Sequence, residues 1–98
     1  MYSRLSTTQS ATAVTASTAV TNPVGAQTYA VRLVANTACH VKIGDGAQTA
    51  TTSDPFLPAN EVDYVAIRPG QSIAVIRAVT NGLVTATDGT LWVTELTK

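Results

Sequence analysis

Side chains that carry out chemistry are scarce in this chain of 98 residues. It has six acidic and six basic residues, one His and one Cys. A single Cys excludes an intrachain disulfide framework, and the scattered cations lack the basic stripe that is typical of nucleic-acid-binding proteins. The sequence has neither the apolar stretch of a signal peptide nor the ~20 apolar residues of a membrane span. We therefore expect a chain that is made in the cytoplasm and either stays there or leaves it inside an assembly.

Small and β-branched residues dominate what is present. The chain has seventeen Thr, fifteen Ala and twelve Val, and Thr and Val favour strands because branching at Cβ restricts them less there than in a helix. The apolar runs are short and are separated by Gly, Pro, Asn and Asp, which is the pattern of strands joined by turns. The sequence predicts an all-β fold, a single β-sandwich of jelly-roll character with seven or eight short strands. We place this domain at residues 23–98.

The first 22 residues differ from the rest and are predicted to be an extended N-terminal arm or an edge segment. Residues 6–13 contain no large apolar side chain, so their burial would offset little of the ordering cost of about 1–2 kcal/mol per residue. The alternation of Val14, Ala16, Thr18 and Val20 would suit an edge strand. A flexible terminus, an arm that orders on a partner and an edge strand all remain open. If it is such an arm, Val14 and Val20 are its candidate contact residues.

Turn signals divide the remainder into strands. Asn81-Gly82 and Asp88-Gly89 are hairpin signals, because a tight type I′ turn needs positive φ at both central positions. The most apolar run, Ile73-Ala74-Val75-Ile76, is predicted to be a central strand that is covered on both faces. The predicted strands span residues 29–35, 39–43, 62–68, 72–80, 83–87 and 90–96.

No motif for catalysis, a cofactor or a metal is found. Cys39 and His40 are neighbours on a predicted strand, where successive side chains point to opposite faces, so they cannot act as a pair. We expect Cys39 in the core and His40 at the surface. Glu61 and Asp63 share a strand face, but no aromatic sugar platform accompanies them. The chain is therefore predicted not to be an enzyme and to hold no cofactor.

The loop at residues 54–60 is the best candidate for an interaction site. Pro55 and Pro58 enclose Phe56 and Leu57, and neither Pro can donate to a central ladder. A stiff apolar loop loses little entropy when it docks on a partner. The alternative is that Phe56 folds back and covers one end of the sandwich.

The single Trp is less informative. Trp92 follows Leu91 in the last predicted strand, so one of the two faces the core. The other faces a second layer or a partner. We expect Trp92 in the core.

Four stretches carry a resemblance to a known group of proteins: residues 31–44 (VRLVANTACHVKIG), 56–59 (FLPA), 68–76 (RPGQSIAVI) and 89–95 (GTLWVTE). In the kinds of residues that they contain and in the order of the segments, they resemble the small β-rich virion proteins of tailed bacteriophages, over about residues 29–96. Within that group the chain is most similar to capsid decoration proteins, also called cement proteins.

This resemblance implies a structural protein that binds the assembled head shell on its outer surface and stabilises it by noncovalent contacts. The implied partners are the major capsid protein or other virion proteins, with a homotrimer favoured and no nucleic acid or membrane involved. A head–tail adaptor, a collar or a tail-attachment component is the alternative. A small carbohydrate- or receptor-binding module is the second alternative.

Overall fold

The computed structural model describes residues 4–79 and 87–97, and these form eight strands and no helix. The all-β prediction is confirmed. No membrane-spanning helix occurs within the described ranges. The strands are β1 (Arg4–Ala13), β2 (Thr18–Ala19), β3 (Thr28–Ala35), β4 (Cys39–Gly44), β5 (Phe56–Leu57), β6 (Val62–Ala66), β7 (Ser72–Arg77) and β8 (Gly89–Thr97).

The strands form two four-stranded antiparallel sheets in a sandwich-like arrangement. Sheet A has the order β1-β8-β3-β6, and sheet B has the order β2-β7-β4-β5. The first strand pairs with the eighth, the second with the seventh, the third with the sixth and the fourth with the fifth. Two further pairings, β3 with β8 and β4 with β7, complete the sheets.

The core lies between the two sheets and is built from alternate residues of the strands. Sheet A contributes Val31, Leu33, Leu91 and Val93, and sheet B contributes Cys39, Val41, Ile73 and Val75. The period of two in each strand places these side chains inward and their neighbours outward. The predicted strands at residues 29–35, 39–43, 62–68, 72–80 and 90–96 correspond to β3, β4, β6, β7 and β8.

Strand β7 is covered on both faces, as predicted. Ile73 and Val75 point into the core, yet the outward Ala74 is also fully buried. The connection between β4 and β5 reaches the far edge of this sheet, where Ala50 N–H donates to Ser17 Oγ at 2.8 Å just before β2. Ala50 is itself buried.

Residues 4–13 are an edge strand, which agrees with the edge segment among the alternatives left open and not with an extended arm. β1 pairs with β8 from Arg4 to Ala13, with one irregularity between Leu5 and Thr8. Ala11 and Ala13 are buried in the core. Backbone pairing with an inner strand orders this stretch, so it needs no large apolar side chains.

The alternation of Val14, Ala16, Thr18 and Val20 does not correspond to one continuous strand. Only Thr18–Ala19 is a strand, and Val20 is a buried core residue. The predicted turn at Asn81-Gly82 and all but the last residue of the predicted strand at 83–87 lie outside the described residues. Thr87 itself is described and belongs to no strand.

Candidate functional site

The predicted docking loop offers one apolar side chain to solvent, not two. Phe56 is 47% exposed, whereas Leu57 is 3% exposed and packs in the core. Leu57 is buried because β5 pairs with β4, so successive side chains of the loop point to opposite faces. Pro55 and Pro58 flank the pair and are exposed. Leu57 is thus a core residue in place of the contact residue expected from the sequence.

Phe56 is held in place by β4. Its ring meets the His40 ring edge-on, with 5.4 Å between the centroids. His40 Nδ1 lies 2.8 Å from the carbonyl oxygen of Asp54, and since a carbonyl only accepts, Nδ1 carries the hydrogen. The loop is therefore anchored at its base, and Phe56 stands on the outer side of sheet B.

Val14 and Val20, the other two candidates, hold the chain around β2 against β7 instead of presenting a contact surface. Val20 N–H donates to the Ile73 carbonyl at 3.0 Å, and the Val14 carbonyl accepts from Arg77 N–H at 2.9 Å. Both bonds join the chain after β1 to β7. Val14 is half-buried and Val20 is buried, so their roles in the folded domain are structural.

An apolar and aromatic surface covers the outer face of sheet A. Val62, Val34 and Trp92 lie side by side on β6, β3 and β8, because register partners in a sheet share a face. Tyr64 and Arg32 form the next row. The exposed fractions are 45% for Val62, 62% for Tyr64 and 39% for Trp92. We call the surface formed by Arg32, Val34, Val62, Tyr64 and Trp92 the aromatic face.

The aromatic face is nearly uncharged. Arg32 is the only charged residue at its outward register positions, and its guanidinium has no ion-pair partner among the described residues, where the only salt bridge joins Arg77 to Asp88. Hydroxyl side chains extend the face across β8 and β1. They are Thr8, Ser10, Thr12, Thr90 and Thr94.

Trp92 is exposed and not in the core as expected, and a local signal in the sequence predicts this placement. Leu91 and Val93 are both fully buried, so the residue between them must face outward. Two apolar residues separated by one position indicate the buried face of a strand more strongly than a single Trp does. The apolar pair Leu91 and Val93 therefore predicts an exposed Trp92.

The charged residue Glu95 faces inward and has a structural role. It is buried, and its Oε1 accepts hydrogen bonds from Gly25 N–H at 2.8 Å and from the Thr28 hydroxyl. These bonds tie the chain before β3 to β8. The irregularity in β1 leaves Ser6 and Thr7 opposite Glu95, as in a β-bulge.

Cys39 and His40 lie on opposite faces of β4, as predicted. Cys39 is fully buried, and desolvation raises the pKa of its thiol from 9.0 to about 11. The described residues contain no group of three or more His, Cys, Asp or Glu side chains that could hold a metal ion.

The buried thiol predicts a loss of stability at alkaline pH. In the unfolded chain Cys39 ionises near pH 9.0, whereas in the folded chain it stays neutral until about pH 11. The unfolded state therefore releases this proton first. The stabilisation that the neutral Cys39 thiol contributes to the free energy of unfolding then falls as pH rises from 9 towards 11. Urea denaturation at pH 8 and pH 10.5 should show a larger loss for the wild type than for Cys39→Ala. Equal losses would contradict the assignment.

A cleft opens on one side of the sandwich, between β6 of sheet A and β4–β5 of sheet B. Its volume is about 470 Å³. Its apolar lining includes Leu33, Val41, Leu57 and Val65, and its polar lining residues are Lys42, Asp54, Asp63 and Gln71. We call it the side cleft. It exists because β5 has only two residues and leaves the edge of sheet B short.

Comparisons of this chain with protein-family models, with curated proteins and with solved structures found no match.

Proposed function

We propose that this chain is a virion structural protein, a capsid decoration protein that binds the assembled head shell through its aromatic face. The single observation that carries the proposal is the exposure of Tyr64, Trp92 and Val62 together on one sheet face. A few hot-spot residues carry most of the binding energy in protein interfaces, and these are enriched in Trp, Tyr and Arg. The aromatic face contains all three, with Arg32 as its only charge.

The strand order supports a finer description of the fold, a jelly roll. The pairing of first with eighth, second with seventh, third with sixth and fourth with fifth strand is what a long antiparallel hairpin gives when it rolls up into two sheets. Viral capsid and lectin domains use this architecture. A fold alone does not fix a function.

The mechanism is noncovalent reinforcement by mass action. A protein that binds the assembled shell and not its separate subunits stabilises the shell by its binding free energy. Many copies on one particle multiply the effect. A nearly neutral face suits this task. Its binding affinity comes from apolar burial and shape complementarity and therefore depends little on salt concentration. A homotrimer on the outer capsid surface is the assembly that we propose.

A carbohydrate- or receptor-binding module is the second candidate, and the exposure of Tyr64 and Trp92 is the observation that favours it. These rings lie on β6 and β8, with β3 between them. Two strand spacings separate them by about 10 Å, so one small sugar ring would not contact both. This spacing favours the flat surface of a protein partner.

The aromatic face should control attachment to particles. Trp92→Ser is expected to weaken binding to particles that lack the protein by at least about thirtyfold, as for a hot-spot residue worth about 2 kcal/mol. Val79→Ser is the matched control, because Val79 is exposed and apolar but lies outside the aromatic face. Cosedimentation with particles measures the affinity, and mass spectrometry of purified particles measures the copy number.

Two outcomes would contradict the proposal. Absence of the protein from purified particles of the phage that encodes it would reject the virion role. Equal binding of Trp92→Ser and Val79→Ser would reject the aromatic face as the docking site.

A further inference from the structure

Strand β6 is an open edge of sheet A. It pairs with β3 on one side, and no described strand pairs with it on the other. Ile67 N–H donates to the Tyr29 carbonyl at 3.1 Å, and the register then directs the backbone groups of Val65 and Asp63 towards β3. The N–H and C=O groups of Tyr64, together with those of its neighbours two positions away, point out from the sheet.

The side cleft lies directly beside this open edge. It is lined by Leu33 and Val65 from sheet A and by Val41 and Leu57 from sheet B. Its volume of about 470 Å³ is within the range of sites that hold ligands. A strand added along β6 would cover the cleft mouth.

An added strand would meet two prepared surfaces. Its side chains alternate between the two faces of the sheet. One set would enter the side cleft over Val65, and the other set would extend the aromatic face next to Val62 and Tyr64. In strand addition, the main-chain hydrogen bonds give affinity and the pockets for alternate side chains give specificity.

The charges at this edge select the occupant. Asp63 lines the side cleft, and Glu61 directly precedes β6; both are exposed. Neither carboxylate has an ion-pair partner among the described residues, whose only salt bridge is elsewhere. Lys42 lines the same cleft but forms no ion pair with either carboxylate among the described residues, so a segment that carries a Lys or Arg would supply a closer charge. A second copy of β6 would bring another Asp63 to the same edge.

We propose that β6 accepts an extended segment of a partner protein by strand addition, with apolar side chains in the side cleft and a Lys or Arg beside Asp63. This site uses the backbone edge of β6 and adjoins the aromatic face at Val62 and Tyr64, and it does not depend on the virion role. Inward charges on an edge strand also suppress aggregation. In that alternative Asp63 repels other strands, and no peptide is selected.

Synthetic peptides of about eight residues, a common strand length, test the proposal on the purified chain. In the probe, Val and Thr alternate and a central Val is replaced by Lys; the comparison peptide has Glu at that position. Amide chemical shifts measure binding. The Lys peptide should bind at least about tenfold more tightly than the Glu peptide, with shifts centred on β6. Asp63→Asn should remove this preference.

A matched pair of variants separates backbone pairing from side-chain contact. Tyr64→Pro removes an outward N–H without breaking the ladder to β3, because Pro is tolerated at an edge position of this kind. Tyr64→Ala keeps the N–H and removes the ring. Binding of the Lys peptide should be lost in Tyr64→Pro and largely retained in Tyr64→Ala.

A second probe leaves the protein unchanged. The Lys peptide carrying N-methyl groups on the amides that would face β6 should not bind, while methylation of the alternate amides should be tolerated. Equal binding of the Lys and Glu peptides, or equal binding to Tyr64→Pro and Tyr64→Ala, would overturn the proposal. Dimerisation of the chain that is lost in Tyr64→Pro would assign the edge to a second copy instead.

Discussion

Deletion of residues 1–13 is expected to abolish cooperative folding of the domain. The deletion removes β1, which pairs with β8 along its length and buries Ala11 and Ala13 in the core. A backbone hydrogen bond contributes about 1 kcal/mol net, so the loss of this ladder approaches the total stability of about 5–15 kcal/mol of a small domain. It also exposes one edge of β8 to water. Thermal unfolding followed by circular dichroism measures the effect.

Deletion of residues 1–3 alone is the control for this experiment, since it removes none of the described register pairs. That shorter chain should melt close to the temperature of the full chain. If the chain without residues 1–13 melted cooperatively at nearly the same temperature, β1 would be dispensable and the stretch would act as an arm after all.

Leu91→Ala is expected to destabilise the domain by about 2–5 kcal/mol, the usual cost of deleting a large buried aliphatic side chain. Leu91 is fully buried between the sheets. It lies on β8, an inner strand with β1 on one side and β3 on the other. For a domain of this size, the melting temperature should fall by about 10 °C or more. Urea denaturation and calorimetry measure the change.

The adjacent Trp92→Ser provides the contrast. Trp92 faces away from the core and is 39% exposed, so its replacement should cost less stability than Leu91→Ala, about 1–2 kcal/mol, although it should weaken binding to particles. If the losses of stability were reversed between these two neighbours, the inward and outward assignment of β8 would be wrong.

The candidate site could be predicted only in part. The pattern of Pro55 and Pro58 indicated an exposed loop, and Phe56 is indeed exposed. Leu57 was placed with it because the two-residue strand β5 could not be read from the sequence. The aromatic face was missed because its members come from β3, β6 and β8, which are distant in the sequence and adjacent only in the sheet.

The N-terminal segment shows a second limit of sequence analysis. The side chains of residues 4–13 are mostly small and polar, and they therefore predict little burial and little order. Their order comes instead from backbone groups of β8, whose residues lie at the other end of the chain. No property of the segment alone reports the presence of such a distant partner.

The sequence by itself determined the strand content, the positions of most strands and the burial of Cys39, because β-branching, turn residues and a period of two are local properties. The tertiary structure alone decided the strand order, the ordering of β1 and the exposure of Trp92 beside Val34 and Val62. It also decided that β5 stops short and leaves the side cleft open. These features depend on pairing between residues far apart in the chain. The local pattern permits many registers equally, and the closure of long loops selects among them.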